Sequence, residues 1–253
     1  MEFFDCYVSF GPSFVPPLAP CRTAEELLAE MRFCGVQRAL VHFTAQVEDS
    51  PVLGNRLLSE AVTGHPELVP SWALLPPSTG EQGSVDEFLA AMRDHGVRAL
   101  WAFPSQHLYL LNATGCGPLL EELVARRIPL FLRRSESSGS LAGWDLPYAL
   151  LQEFPLLNLV VVGHGPWGED RFFRPLLERY PSFRVDTARY ELDGGIPGLV
   201  GRYGPHRLLF STAFPATCMG GALLTLLHAD IPDEAKAAIA AGNLERLLGE
   251  VQL

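Results

Sequence analysis

The chain has 253 residues, of which 48% are hydrophobic, and its formal net charge is −10 with an isoelectric point near 5.2. A chain of this length buries roughly three quarters of its unfolded surface on folding. The negative charge disfavours contact with a phosphate backbone, and the two arginine pairs, Arg126/Arg127 and Arg133/Arg134, are too short to form a basic stripe. Composition therefore excludes the usual kind of nucleic-acid-binding protein.

Cysteine usage and hydropathy indicate a soluble protein of a reducing compartment. Five cysteines are present without any C-x-x-C spacing, which is typical of reduced thiols rather than of a disulfide framework. No stretch has the apolar length of a membrane span, and the residues from Met1 to Asp5 do not begin a secretory signal. We expect a cytoplasmic protein with no membrane partner.

Short apolar runs recur at near-constant spacing, and each predicts a buried parallel strand. The predicted strands are Phe3–Val8, Arg38–Phe43, Leu68–Leu75, Val97–Phe103, Ile128–Leu132, Leu159–Val162, Phe183–Asp186 and Arg207–Ser211. Segments between them have helical periodicity. The predicted helices are Ala24–Cys34, Val85–Asp94, Leu119–Arg127, Leu146–Phe154, Phe172–Tyr180 and Glu234–Leu248. Thr23 and Glu26 are set as a capping box for the first of them.

Strand and helix alternate in units of roughly 30 residues, the length expected of a (β/α)₈ TIM barrel. A doubly wound open sheet is the alternative fold. No linker or low-complexity tract divides the chain, so residues 1–253 are predicted to form one domain. In a barrel, the segments after the strands carry the site, and Gly11–Arg22, Pro104–Gly117 and Arg134–Asp145 are long enough to wall a cavity.

Three stretches resemble the amidohydrolase-related family of metal-dependent hydrolases, and the resemblance runs from end to end of the chain. Phe4–Gly11 stands where family members carry D-x-H-x-H-x-G, and Arg207–Pro215 stands where they carry R-x-L-F-G-[ST]-D-x-P. Asn243–Leu247 reads N-x-x-R-L within the last helix, as in the family. The resemblance implies a TIM barrel and a divalent metal, often zinc, that activates water for hydrolysis.

The resemblance also implies that most metal-ligand positions carry other residues here. Tyr7 and Ser9 stand at the two histidine positions of the first strand, and Arg133 follows the fifth strand where a histidine is typical. Ala213 replaces the aspartate that binds metal and relays a proton, so His164 after the sixth strand is the only retained family-type ligand. A phenol and a hydroxyl are poor zinc ligands, and a guanidinium has no lone pair. We expect a degenerate member without a metal, with a single divalent metal such as zinc as the alternative.

The replaced positions together predict a ring of hydrogen-bond donors with one fixed positive charge at the barrel mouth, which suits a small anion. The predicted ligand-binding residues are Tyr7, Ser9, Arg133 and His164. The alternative is structural: Arg133 pairs with a neighbouring acid such as Asp5 or Asp186, and Tyr7 fills the space left by the metal. By strand parity Cys6 is expected to face the helices, and His42 is interpreted as a core or rim histidine.

Three functional hypotheses follow from these residues. The leading one is a non-catalytic barrel, a pseudoenzyme, that binds a small anionic molecule or belongs to an assembly. The alternative is a hydrolase or decarboxylase that works without the metal, with Arg133 stabilising charge and His164 or Tyr7 as general acid or base. The third is a homo-oligomer in which the barrel has become a scaffold.

Overall fold

The computed structural model describes residues 1–15, 19–136, 143–165 and 169–253, so parts of the predicted walls Gly11–Arg22 and Arg134–Asp145 lie outside the described residues. Short parallel strands alternate with helices. The strands are Phe4–Phe10 (β1), Arg38–Phe43 (β2), Leu68–Pro70 (β3), Trp72–Ala73 (β4), Leu100–Ala102 (β5), Leu130–Arg133 (β6), Leu159–Val162 (β7), Arg184–Asp186 (β8) and Leu208–Leu209 (β9). The helices are Ala24–Cys34 (α1), Ala45–Glu48 (α2), Pro51–Ala61 (α3), Val85–Asp94 (α4), Ala113–Ala125 (α5), Asp145–Glu153 (α6), Asp170–Arg179 (α7), Gly195–Tyr203 (α8), Met219–Leu227 (α9), Asp233–Ala237 (α10) and Asn243–Gly249 (α11).

The strands close into a barrel. Two parallel sheets, in the orders β1-β2-β3 and β4-β5-β6-β7-β8-β9, meet at two seams. At one seam the predicted third strand is divided at Ser71: its N–H donates to Val41 of β2, and the next N–H, of Trp72, donates to Ala99 beside β5. At the other seam, β1 bonds to the segment after β9. The predicted (β/α)₈ barrel is therefore confirmed, and the doubly wound alternative is wrong.

Helix boundaries follow local signals where these are strong. The predicted bounds of α1 and α4 are confirmed, and both helices begin at a side-chain cap. At α1 only half of the capping box forms, because Glu26 accepts from the N–H of Arg22 rather than from that of Thr23. α5 begins six residues before its predicted start, capped by Asn112. Among the described residues, no helix has the length and apolar character that crossing a bilayer would require.

A bulge in β1 changes which side chains face the barrel interior. The pairing of β1 with β2 shifts register between Asp5 and Val8, so two residues of β1 oppose one of β2. As a result Cys6 and Tyr7 both join the interior cluster, with Trp101 among its members. The expectation that Cys6 faces the helices is wrong because simple alternation fails across the bulge.

Residues of the family-like stretches that lie outside the cavity act as structural anchors. The Arg207 guanidinium donates to the backbone carbonyls of Leu177, Tyr180 and Phe183 at 2.6–3.0 Å, which satisfies the carboxyl end of α7. Asn243 Nδ2 donates to two carbonyls beside β9, both at 2.8 Å, and so fixes the last helix to the last strand. These positions stabilise the fold.

Asp5 closes the seam between β1 and the segment after β9. One carboxylate oxygen accepts from the backbone N–H groups of Tyr7 and Thr212 at 3.0 and 3.1 Å, and the other accepts from the Thr212 hydroxyl at 2.5 Å. Two backbone bonds, from Cys6 to Phe210 and from Ser9 to Phe214, reinforce the same seam. Burial raises the pKa of Asp5 to about 7, against the lowering effect of these hydrogen bonds.

We predict that Arg207→Met lowers the free energy of unfolding by about 2–5 kcal/mol, because the carbonyls of Leu177, Tyr180 and Phe183 each lose the guanidinium as a charged donor. Urea denaturation followed by circular dichroism measures the change. The control is Arg202→Met, whose side chain is 64% exposed and pairs with Glu178 at the surface. There we expect a change below about 0.5 kcal/mol. Equal effects in the two variants would contradict the anchoring role.

We predict a pH-dependent difference between the wild type and Asp5→Asn. The folded pKa of Asp5 lies above its unfolded value of 3.8, so its contribution to stability is present below that value and is lost as the pH rises through about 7. The wild type should lose about 2–3 kcal/mol relative to Asp5→Asn between pH 5 and pH 8. Denaturant titrations at both pH values give this difference. A difference that does not change with pH would show that Asp5 ionises normally in the folded protein.

Candidate functional site

A cavity of about 430 Å³ opens at the carboxyl ends of the strands, where a barrel carries its site. Its wall includes Tyr7 and Ser9 from β1, His42 from β2, Arg133 from the end of β6, and Ala213 after β9. The structure therefore brings together three of the four predicted ligand-binding residues and adds a histidine that the sequence reasoning assigned to the core or rim.

Arg133 is held in the wall by a buried carboxylate. Its Nε donates to Glu136 Oε1 at 2.8 Å, and its Nη2 donates to the same oxygen. The Arg133 side chain is 21% exposed, whereas that of Glu136 is wholly buried. Ser105 fixes Glu136 through its backbone N–H and its hydroxyl, which both donate to Oε2. The guanidinium also lies 4.9 Å from the centroid of the Phe103 ring.

The acid that pairs with Arg133 is not one of those expected. Asp5 and Asp186 are bound by hydroxyl groups of the segment after β9. A 3₁₀ turn directly after β6 instead places Glu136, three residues along the chain, beside the guanidinium. The two paired residues are only three positions apart in the sequence. The guanidinium of Arg133 therefore lines the cavity, and the buried carboxylate of Glu136 lies on its far side.

Tyr7 forms part of an aromatic group inside the wall. Its ring stacks on His42 at a centroid distance of 5.8 Å and lies 5.3 Å from Trp101. Burial raises the pKa of Tyr7, while the charge of Arg133 and a hydrogen bond from it work in the lowering direction. The phenol is therefore neutral at physiological pH. Ser9, also in the wall, contributes a hydroxyl for which no hydrogen bond is formed among the described residues.

His42 is buried among aromatic rings. Besides Tyr7, its neighbours are Trp101 and Phe103, with centroid distances of 4.8 and 5.9 Å. Burial, followed by the charge of Arg133, lowers the pKa of His42 to about 3, and a hydrogen bond to the Val8 backbone opposes the shift. The ring is therefore uncharged at neutral pH, and its buried Nδ1 has no hydrogen-bond partner among the residues that the structure describes.

The structure does not bring His164 to the cavity. Gly163, with φ of +71°, ends the alternation of β7, and the His164 ring packs against Phe173 and Tyr190 at 4.9 and 5.2 Å. Its Nε2 donates to the backbone carbonyl of Asp186 at 2.7 Å. The side chain is wholly buried and forms no part of the cavity wall. In this position it cannot contact a ligand held by Arg133.

Ala213 occupies the left-handed region, with φ of +57°. This conformation costs a residue with a β-carbon about 1 kcal/mol or more, and aspartate and asparagine tolerate it best. The resemblance places Ala213 where family members carry a metal-binding aspartate, and its methyl group supplies no donor atom to the cavity wall. The backbone conformation at this position therefore suits aspartate or asparagine better than alanine.

The donor set at the family's ligand positions does not fit a divalent metal. Tyr7 and Ser9 offer a neutral phenol and a hydroxyl, and Arg133 brings a positive charge that opposes a cation. Within the parts of the chain that the structure describes, no three or more His, Cys, Asp or Glu side chains lie together as a group able to hold an ion. The chemistry of these side chains instead suits a ligand with negative charge.

The rim of the cavity is tied to α2. Glu48 accepts from the Ser13 hydroxyl through one carboxylate oxygen and from the Phe14 N–H through the other, both at 2.7 Å. The Phe14 side chain remains exposed. Arg22 adds a second positive charge to the lining, from an exposed position. The described part of the segment after β1 thus forms one edge of the opening.

Solved structures share this fold over nearly their whole length. An uncharacterised TIM-barrel protein from Bordetella bronchiseptica is 18% identical, with a TM-score of 0.72 and 99% of each chain covered. The 5-carboxyvanillate decarboxylase of Sphingomonas paucimobilis is 14% identical, with a TM-score of 0.72 and the same coverage. A dihydroxybenzoic acid decarboxylase from Polaromonas, with bound manganese and 2-nitroresorcinol, is 15% identical, with a TM-score of 0.73 over 98% of this chain and 97% of its own.

These likenesses establish the fold and, at such low identity, nothing finer. A search of curated proteins finds no match. The family comparison goes further, because the match covers most of the chain. The model of the amidohydrolase family matches residues 8–249, and the chain therefore belongs to the amidohydrolase family.

Proposed function

We propose that this amidohydrolase-family barrel is a metal-free, non-catalytic protein that binds a small carboxylate through Arg133. The observation that carries the proposal is the position of the guanidinium, in the cavity wall and fixed from behind by Glu136. An arginine has five N–H donors, of which Glu136 takes two and Tyr7 takes another. Others remain for a ligand in the cavity, and a carboxylate matches their fork geometry.

The Arg133–Glu136 pair supports binding because it makes the arginine rigid without leaving a buried charge alone. Glu136 compensates the cost of placing a cation near the aromatic wall, and Ser105 holds Glu136 in turn. The Phe103 ring makes a cation–π contact with the guanidinium. A preorganised arginine loses little conformational entropy when a ligand arrives, so more of the interaction energy is available for binding.

The remaining shell is smaller than the sequence suggests. Tyr7 supplies a neutral phenol and Ser9 a hydroxyl, and both lie in the same wall as Arg133. His164 takes no part, because its ring is enclosed between Phe173 and Tyr190. The proposed shell is therefore the Arg133 guanidinium with two hydroxyl-type groups, and Arg22 adds a positive charge at the exposed rim.

A catalytic function is the second candidate, and the names of the neighbouring structures favour it. Two of those neighbours are named as decarboxylases of aromatic acids, and one of them contains manganese. In this candidate function the chain is a hydrolase or decarboxylase, in which Arg133 stabilises the developing negative charge and Tyr7 donates the proton. The phenol's raised pKa makes it a weak acid, which favours binding over catalysis.

We predict that removing the Arg133–Glu136 pair as a unit abolishes anion binding. The double variant Arg133→Met with Glu136→Gln avoids a buried unpaired carboxylate, and Glu136→Gln alone keeps the arginine. Isothermal titration with acetate, butyrate, benzoate and inorganic phosphate should show affinity lost at least about tenfold in the double variant, since a charged hydrogen bond contributes about 1.5–3 kcal/mol. In Glu136→Gln we expect affinity at or above that of the wild type.

The matched control is Arg134→Met, which removes the next arginine along the chain. Arg134 pairs with Glu169 and is absent from the cavity wall, so the affinity should change by less than about threefold. Undiminished binding in the double variant would contradict the proposal. Release of product from any of these acids, lost in the double variant, would favour the catalytic candidate instead.

We predict that protein purified without chelator carries less than about 0.1 equivalent of zinc, manganese or iron per chain, because the guanidinium and the missing donors oppose metal binding. Elemental analysis by mass spectrometry gives the content, before and after dialysis against each metal. A stoichiometric metal that is lost in His164→Ala would overturn this part of the proposal.

A further inference from the structure

The wall of the cavity contains a second arginine, Arg22, at the exposed rim. The charged side chains among the described residues of the wall are Arg22, Glu48 and Arg133. The proposed carboxylate shell is built on Arg133 and gives Arg22 no ligand to bind. Arg22 also lies outside the three stretches that carry the family resemblance. Its place in the wall therefore needs an explanation of its own.

The two arginines come to the cavity from opposite sides of the barrel. When the divided third strand is counted once, β6 is the fifth of eight strands, so it stands across the barrel from β1. Arg133 is the last residue of β6, whereas Arg22 lies in the segment that connects β1 to α1. Both line the same opening. Two positive charges on opposite sides of one cavity repel each other unless negative charge lies between them.

The backbone of Arg22 is anchored beside the end of β1, although its side chain is exposed. The N–H of Gly11 donates to the carbonyl of Cys21 at 2.9 Å, and the N–H of Arg22 donates to Glu26 at 2.6 Å. Gly11 has φ of +121°, and a β-carbon there would lie 2.9 Å from the Phe43 ring, so glycine permits this close approach. The start of α1 is thus fixed to the first strand.

The positive charge of Arg22 has no partner within the described part of the chain. Glu26 accepts from the backbone N–H, and the guanidinium itself forms no hydrogen bond or ion pair with a described residue. The acid in the wall is different, because both oxygens of Glu48 accept hydrogen bonds, from the Ser13 hydroxyl and the Phe14 N–H. A ligand therefore meets an unpaired cation at the rim and a carboxylate that is already engaged.

Much of the remaining wall is apolar. Its apolar members include Val15, Pro20, Phe214, Pro215 and Ala216. The volume of about 430 Å³ lies in the range of small-ligand sites, and such a wall favours a hydrocarbon part of the ligand over a polar one. The cavity thus combines two cations with an apolar surface.

We infer that the ligand of this cavity is a dicarboxylate with an apolar spacer, and that Arg22 selects it by binding the second carboxylate while Arg133 binds the first. This inference rests on the proposed binding of a carboxylate by Arg133. It makes Arg22 a specificity-determining residue, because a monocarboxylate leaves the second cation unpaired. A second negative charge gains that pair and reduces the repulsion between the two arginines.

The experiment compares straight-chain dicarboxylates, from succinate to pimelate, with the monocarboxylates of equal length, from butyrate to heptanoate. Isothermal titration at neutral pH gives the ratio of the two affinities at each length. In the wild type we expect the dicarboxylate to bind about fivefold more tightly at the length that spans both arginines, the value of an exposed ion pair. The preference should fall at high salt, because salt screens exposed charges.

Arg22→Gln removes the charge from an exposed side chain, so the protein should fold and the ratio should fall to about one at every length. Arg22→Lys keeps a positive charge and should keep part of the preference. The charge-matched control is Arg32→Gln, which lies in the last turn of α1, is exposed and does not line the cavity. Arg32→Gln should retain the wild-type ratio.

A wild type that prefers dicarboxylates at no length, or a preference that survives in Arg22→Gln, would overturn the role of Arg22 and leave the Arg133 proposal intact. An equal loss of both affinities in Arg22→Gln would also overturn it, because a single carboxylate would then bridge the two arginines. The amino acid 5-aminopentanoate tests pairing with Glu48, and tighter binding than glutarate would contradict the inference. If no acid binds the wild type, the Arg133 proposal fails, and this inference fails with it.

Discussion

The hydrogen bonds from Thr212 to Asp5 connect the two ends of the barrel sheet, and the position of the cavity depends on them. They join the first strand to the segment after the last one, and that segment brings Ala213 and Phe214 into the cavity wall beside Tyr7 and Ser9. Backbone N–H groups and a hydroxyl satisfy the carboxyl group. The first residue of the family-like motif therefore keeps a structural role although the two positions after it in the pattern have changed their chemistry.

A buried negative charge, that of Glu136, fixes the arrangement of the polar side chains in the cavity wall. Glu136 is buried and fixed by Ser105, and it determines how Arg133 faces the opening. Arg133 in turn affects its neighbours: it works against the raised pKa of Tyr7 and contributes to the low pKa of His42. Burial is the main cause of both shifts, and it keeps both side chains neutral at physiological pH. A neutral phenol, a neutral imidazole and a cation form a shell suited to a polar anion.

Much of the fold could be predicted from the sequence, because buried parallel strands and capped helices leave strong local patterns, as in β7 and α4. The division of the third strand at Ser71 and the bulge after Asp5 could not, since both depend on which strand lies alongside. At the site, the residues of the family motif indicated Tyr7, Ser9 and Arg133. Glu136 follows Arg133 by only three residues and could have been noticed. The positions of two histidines could not be predicted. The His164 ring points away from the cavity because Gly163 has a positive φ, and His42 lines the cavity only because the barrel closes.

The conformation of Ala213 and the pairing of Arg133 have opposite consequences for any mutational path that would create a metal centre in this cavity. At position 213 the backbone is already in the region that aspartate tolerates, so a carboxylate could return there without rebuilding the loop. Replacing Arg133 by a histidine is different, because it would strand Glu136 as a buried charge at a cost of about 3–5 kcal/mol. That single step would remove a large part of a typical domain's stability, which is about 5–15 kcal/mol. The order of substitutions is therefore constrained, because Glu136 has to change before or together with Arg133. As long as both residues are present, the ion pair makes replacement of Arg133 alone destabilising.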